Sequence, residues 1–357
     1  MRNIPLDELV SILIPVYNRE EFVKQAIESA LAQTYPQIEV IAVDNCSTDT
    51  TFEVLQEYAR LDSRVRCVSN EKNLGATRNW RRCFELSHGE YIKLVFSDDW
   101  LSPTALEHMV PALRSHPEAG LCYSAVSYHN EGVEGFPLIH IANSLRRDQN
   151  VGRYRFLRGL MDGSISVPHS PGQALFRRKE FDRWLITDDH NRLGISCGQF
   201  GMGNDVMLYL RACGDYPSVY HIAESLSHYR IHPSSITISS RDNSGELCIL
   251  SAVAHFLSEN RLTIAEKRRL MGLLWVRLFF ANLHIYKNPG QWRTFVEHYF
   301  RLFPNDASAH GANLLTFDAL YCLAHSIKGM VHNRIDKISR RFPKLLPQHR
   351  HKNIHVI

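Results

Sequence analysis

Val40-Ile41-Ala42-Val43-Asp44-Asn45-Cys46-Ser47-Thr48-Asp49 is a short, largely β-branched apolar run that ends on an acid and a cluster of turn-forming polar residues. A strand buried on both faces reads this way, and such strands belong to parallel sheets. Tyr91-Ile92-Lys93-Leu94-Val95-Phe96-Ser97-Asp98-Asp99-Trp100 repeats the arrangement. Acids at the carboxyl ends of buried strands sit where open α/β sheets keep their ligand crevice. Carboxylates there suit the hydroxyls, base edge and divalent cation of a metal–nucleotide complex.

Outward from these two runs the chain alternates. Residues 9–16, 38–43, 65–69 and 91–96 read as strands, and 20–33, 50–61, 76–86 and 104–115 as helices. Pro15 is expected to end regular pairing of the first strand. This alternation predicts a mostly parallel sheet flanked by helices, with right-handed crossovers. Further on, 121–128 and 220–229 read as strands, and Gly172-Gln173-Ala174-Leu175-Phe176-Arg177-Arg178 as a strand leading into a helix. Asn204-Asp205 opens a helix over 206–213. Residues 129–170 are loop-rich and place no chemistry; an acceptor-binding insertion is the use they suggest. From about 246 the pattern is helical to 339, and 340–357 is basic and His-rich.

A length of 357 residues suits about two domains. Residues 241–357 carry 17 Lys+Arg against 8 Asp+Glu, whereas the first 240 carry 24 against 29. An acidic head argues against nucleic acid as a partner, and a basic tail suits contact with an anionic surface. The eight cysteines show no metal spacing, and most read as reduced core residues. Residues 1–9 hold Arg2, Pro5, Asp7 and Glu8 and no long apolar core, so no secretory signal is expected and a cytoplasmic setting follows. No run approaches the roughly 18–20 apolar residues of a spanning helix. The nearest, 270–286, is interrupted by Arg277, Asn282 and His284 and reads as a buried or interfacial helix. Gly198, Gly201 and Gly203 do not form a dinucleotide fingerprint, and no P-loop is present.

Four pieces stand in order: Val10-Ser11-Ile12-Leu13-Ile14-Pro15-Val16-Tyr17-Asn18-Arg19, then Val43 to Asp49, then Asn73-Leu74-Gly75 with Arg78-Asn79, then Ser97-Asp98-Asp99-Trp100-Leu101-Ser102-Pro103. Together they resemble the nucleotide-binding half of the family 2 glycosyltransferases, inverting enzymes with the GT-A fold. The resemblance covers 9–110 strongly and 168–236 more loosely. It implies a GT-A domain over 1–240, with a nucleotide-binding half at 9–110 and an acceptor half at 111–240, followed by a helical basic region at 241–357.

The resemblance also implies roles. Asp44 accepts a hydrogen bond from the nucleobase, which suits uracil, although it also stands where a helix cap would. Pro15, Tyr17 and Asn18 flank the same base. Asp98 and Asp99 occupy the place of the family's Asp-x-Asp motif, with Mn²⁺ or Mg²⁺ as cofactor. Phe96 stands where a longer acidic run often begins, which leaves open which acid ligates the metal; the reading assigns Asp99 to the metal and Asp98 to the ribose. Arg78 is placed near phosphate, and Arg230 and His232 of Tyr229-Arg230-Ile231-His232 on the phosphate side. Asp205 is the general base, with Asn204 replacing the family's Glu.

The implied activity moves a sugar from a nucleotide diphosphate, UDP by preference, to an acceptor hydroxyl with inversion. The implied setting is assembly of bacterial surface polysaccharide or glycolipid, with a glycan or lipid-linked sugar as acceptor. Basic and aromatic residues of 241–357 suggest peripheral contact with the inner face of a membrane. A nucleotidyltransferase and a non-catalytic sugar-nucleotide or glycan-binding protein are the alternatives.

Overall fold

All seven residues of β1 (Val10–Val16) are buried, as a run of Val, Ile and Leu between two parallel neighbours requires. The computed structural model describes residues 8–133, 137–185, 201, 203–235, 244–259 (side chains from Cys248), 261–267, 269–270 and 273–274. β1 pairs in parallel with β2 (Ile38–Asp44) on one side and β4 (Tyr91–Leu94) on the other. β3 (Val65–Ser69) extends the ladder beyond β2. Between these strands run α1 (Val23–Leu31), α2 (Thr51–Leu61) and α3 (Ala76–Glu85). α1 buries Val23, Ala26, Ile27 and Ala30 at helical spacing. Each fully buried Val or Ile of this layer is worth about 1.5–3 kcal/mol.

The second half continues the same sheet. β5 (Trp100–Leu101), α4 (Ala105–Ser115) and β6 (Ala119–Asn130) lead to β7 (Ile139–Ala142), β8 (Gln149–Gly152) and α5 (Arg153–Asp162). β9 (Ala174–Arg177), α6 (Arg178–Trp184), α7 (Asn204–Asp215), β10 (Ser218–Ile231) and α8 (Ser244–Ser258) follow. The strand order is β3-β2-β1-β4-β9-β6-β10-β5, with β7 on β6 and β8 on β10. β9 runs antiparallel to both β4 and β6, while β6 and β10 are parallel. The expected mostly parallel sheet with flanking helices is present.

Three expectations change. Residues 129–170 hold β7, β8 and α5 and are not one loop. The strand expected over 91–96 stops at Leu94. Pro15 does not end pairing, because Pro15 stays opposite Val43 and Val16 opposite Asp44. Leu13 accepts from Val95 N on the β4 side and Val16 from Asn45 N on the β2 side. Alternation along a strand therefore turns Pro15's missing donor toward β4, where pairing has already stopped.

Residues Met1–Ile285 form one compact unit and Tyr286–Ile357 a second; every described residue belongs to the first. α8 packs on α7, and Arg211 pairs with Glu259 at 2.8 Å. The expected helices beyond residue 274 and the basic end at 340–357 lie outside the described residues. Cys46, Cys67, Cys83, Cys122 and Cys213 are free thiols, and Cys248 is disulfide-bonded.

Candidate active site

The carboxyl ends of β1 and β2 carry the first cluster. Asp44 is buried, and its carboxylate accepts from Ser69 Oγ at 2.8 Å and Ser47 N at 3.1 Å. Asn18 N donates to Ser47 Oγ and Asn18 Oδ1 accepts from Thr48 N, both at 2.9 Å, so the two exit loops are pinned together. Asn18 and Cys46 both adopt positive φ, which Asn tolerates and Cys rarely does. Tyr17 is exposed beside them. Asp49 takes the amide of Thr51, a local capping role.

Beneath this cluster lies an amide network that reading the sequence missed. Asn45 Oδ1 accepts from Leu74 N at 2.9 Å and Asn70 Nδ2 at 3.0 Å, and Asn45 Nδ2 donates to Asn73 Oδ1 at 2.9 Å. Asn79 Nδ2 donates to Val43 O at 3.0 Å. Four asparagines thus fix the 70–79 loop against the end of β2. The signal was in Asn73-Leu74-Gly75 and Asn79, quoted for their spacing and not for their amides. Arg78 lies exposed in the first turn of α3.

The second cluster follows β4. Asp98 Oδ2 lies 3.4 Å from Arg19 Nε and 3.3 Å from His232 Nε2. Burial pushes the Asp98 carboxyl up, but the His232 hydrogen bond and the charges of Arg19 and His232 outweigh it and hold it below its ordinary value. Asp99 behaves oppositely. Burial and then the Asp98 charge raise its carboxyl well above the ordinary value, against the Arg230 amide, which donates to Oδ1 at 3.0 Å. Two carboxylates side by side cannot both ionise cheaply in a buried site. Lys93 lies fully buried under them and donates to the carbonyls of Gly172 and Ala174. Burial brings its ammonium down to about 7, against the Cys122 and Asp99 charges.

Arg230 is committed to the protein. Its Nε donates to Asp98 O at 2.9 Å, its two terminal nitrogens reach Glu131 and Gln25, and its guanidinium lies over Phe22 at 5.0 Å and Trp100 at 4.9 Å. His232 Nδ1 meets Ser234 Oγ at 2.8 Å, and its ring lies against Phe22. Both residues therefore stand at the acid pair. Arg19, Gln25 and Trp100 join them; Arg19 ends one of the four matching pieces and Trp100 sits within another, neither with a role assigned, and nothing marked Gln25.

Asp205 stands in the first turn of α7, where the helix dipole favours an anion. Asp205 N donates to Gly201 O at 3.2 Å, and Oδ1 accepts from Val206 N at 2.7 Å. Burial raises its carboxyl to about 6 against the amides of Val206, Gly203 and Asp205. Gly201 (φ 78°) lies so close to Trp80 that an added Cβ would stand 2.8 Å from the indole. Trp80 packs on Phe96 at 5.4 Å, so the approach to α7 abuts the segment that delivers Asp98. α7 runs antiparallel to β10, which brings Asp205 to the sheet end that carries the other acids.

The donor set beside β4 fits a hard divalent cation. Adjacent carboxylates offer hard oxygen ligands that suit Mg²⁺ or Mn²⁺. Among the described residues no group of three metal-binding side chains is present, and the candidate ligands are the two adjacent carboxylates Asp98 and Asp99. A cation would also relieve the repulsion that raises Asp99.

The sequence model of Glycosyl transferase family 2 matches residues 11–185. The chain is 27% identical over 290 residues to a Bacillus subtilis protein named as glycosyltransferase EpsH, covering 80% of each. It is 34% identical over 143 residues to B. subtilis TuaG, named as a teichuronic acid biosynthesis glycosyltransferase, covering 39% of this chain and 56% of that one. In fold it resembles S. aureus TarS 1–349, solved with UDP-GlcNAc, at a TM-score of 0.62 and 16% identity over 82% of this chain and 80% of that one. It also resembles the mannosyltransferase PcManGT of Pyrobaculum calidifontis, solved with GDP-Man and Mn²⁺, at 0.50 and 14% over 90% and 80%. Fold and sequence define a GT-A protein. Residues 11–185 match glycosyl transferase family 2, and the chain is a glycosyltransferase of that type.

Proposed function

We propose that this enzyme transfers a sugar from a nucleotide diphosphate, UDP by preference, to an acceptor hydroxyl with inversion. The observation that carries the reading is a raised carboxyl, Asp205, at the same sheet end as the acids of β2 and β4. An inverting transfer needs a base opposite the leaving group, and a carboxyl near 6 is ionised at neutral pH yet basic enough to accept a proton. Asp205 takes the proton of the attacking hydroxyl as that oxygen bonds to the anomeric carbon and the diphosphate departs with its bonding pair.

Asp44, with Pro15, Tyr17 and Asn18 around it, holds the base, and Arg78 faces phosphate. Asp99, assisted by Asp98, would hold Mn²⁺ or Mg²⁺, which offsets the charge developing on the diphosphate. Arg230 and His232 serve the phosphate side by holding those acids in place. The name of TuaG, a teichuronic acid biosynthesis glycosyltransferase, supports a role in surface polysaccharide assembly, for which the acceptor is a glycan or lipid-linked sugar. Among the described residues no helix is long and apolar enough to cross a membrane; peripheral contact through 241–357 belongs to the same proposal, as does the division at residue 240.

Calorimetric binding of UDP, GDP, dTDP and CDP, with and without Mn²⁺, tests the donor site. Metal-dependent UDP binding that Asp99→Ala abolishes is expected. Tight binding of another diphosphate moves the donor, and no binding at all favours a glycan-binding protein.

A further inference from the structure

Among the described residues the buried side-chain atoms without a hydrogen-bond partner include, beside Arg211 Nε and the His221 ring, the hydroxyls of Tyr128 and Tyr209 and the Asn204 amide nitrogen. An orphaned buried polar group costs about 1–3 kcal/mol, and native interiors hold few. Asn204 lies roughly 140° round α7 from Tyr209 and belongs to another face. The two tyrosines belong together. Tyr209 follows Asp205 by one turn, about 40° round the helix, and long helical side chains lean toward the N-terminus, which carries its phenol to the level of Asp205. Burial, then the charges of Asp205 and Tyr128, raise its hydroxyl. Burial, then Tyr229 and Asp99, raise that of Tyr128.

By helix spacing Tyr209 thus stands beside Asp205 on α7, and Tyr128 lies on β6 near its carboxyl end. A cleft beside Asp99 is lined by Phe96, Val126, Gly172, Gln173, Ser227 and Tyr229. Tyr128 is two residues along β6 from Val126 and directly opposite Tyr229, so it stands on the same side. α7 packs on the 171–173 turn that walls this cleft.

We propose that Tyr128 and Tyr209 hydrogen-bond the ring hydroxyls of the sugar being transferred, holding it between the departing diphosphate and Asp205. This assignment rests on the donor-site reading above. The reacting carbon must lie between leaving group and base, and we place these phenols along that interval. Each offers one donor and one acceptor, which suits a neutral sugar with free hydroxyl or acetamido groups. A site built to bond a hydroxyl discriminates against a deoxy analogue, because its own polar groups are then left unpaired.

Tyr128→Phe and Tyr209→Phe remove one oxygen each and keep the ring contacts, Tyr128 with Tyr229 at 5.6 Å and Tyr209 with Phe176 at 6.4 Å. Calorimetry with Mn²⁺ compares each bare diphosphate with its sugar nucleotide: UDP with UDP-glucose and UDP-N-acetylglucosamine, GDP with GDP-mannose. For the sugar nucleotide the wild type prefers, each variant is expected to lose about three- to tenfold in affinity while the bare diphosphate is unaffected. Neither Tm should fall, because no protein partner is lost. If the sugar's added affinity survives in a variant, that tyrosine has no such role. A fall in Tm of more than a few degrees shows a structural partner and overturns the assignment. A wild type that binds diphosphates with no gain from any sugar overturns this inference alone. A wild type that binds no diphosphate overturns the donor-site reading and this inference with it.

Discussion

Asp205 meets two opposed demands. A carboxyl raised to about 6 in the folded chain, against about 3.9 unfolded, binds protons more tightly when folded. Its contribution to stability is therefore greatest below pH 4 and is lost as pH rises through 6. Asp205→Asn removes that loss. The variant should unfold at a higher temperature at pH 7.5, by on the order of 1 kcal/mol after discounting for partial exposure, and the gain should vanish near pH 4. Transfer should fall by about 10²–10⁴-fold while UDP affinity holds. In the wild type, kcat/KM should rise with pH through about 6. Melting curves at two pH values and a pH–rate profile check these outcomes. Arg230 makes the contrasting case, since every arm of its guanidinium is spent on the protein. Arg230→Gln takes away a buried guanidinium's bonds to the Asp98 carbonyl, Gln25 and the half-exposed Glu131, so a loss of about 1–3 kcal/mol is expected in urea denaturation, together with weaker Mn²⁺-dependent UDP binding.

Among the elements, α7 depends most on its entry. Gly203 has φ 84°, and a Cβ there would stand 2.8 Å from the Cys248 carbonyl of α8. Gly203→Ala meets a disfavoured backbone and a backbone clash together, and about 2–3 kcal/mol of destabilisation is expected. Transfer should suffer more than UDP binding, because the displaced helix carries Asp205 and not Asp44; denaturant midpoints beside calorimetry separate the two. The first hundred residues were legible because buried parallel strands are continuous apolar runs with acids at their ends. β5 is two residues long and has no period to read. α5 is bracketed by Gly152 and Gly163, which read as loop residues, and the glycine inside it, Gly159, is helical and lies where the Ile165 side chain leaves no room for a Cβ. Asp44, Asp98, Asp99 and Asp205 could be named from strand ends and a helix start. The commitment of Arg230 could not, because Gln25, Glu131 and Asp98 come from three distant segments that only the folded sheet joins.

On the scale of the whole molecule, the boundary expected at residue 240 falls just before α8, which packs on α7. Cys248, Val253, Phe256 and Leu257 of α8 are buried, and Arg261 and Glu259 pair with Asp215 and Arg211 of α7. A fragment ending at 240 should melt lower and aggregate, whereas one ending at 285 should keep the full-length transition; differential scanning calorimetry of both fragments checks this. A second consequence comes from Pro15. Beyond Leu13 and Leu94 the backbone no longer laces β1 to β4, so the sheet ends in a seam. The base-side loops hang from one lip of that seam and the acid pair from the other. A nucleotide seated across it acts as a removable suture, supplying from outside the cross-link that the proline withholds. The amide hydrogens of Tyr17 and of residues 96–98, which no strand partner holds, should then exchange with solvent measurably more slowly once UDP and Mn²⁺ are bound, while those of the fully laced stretch at 10–13 stay as they were.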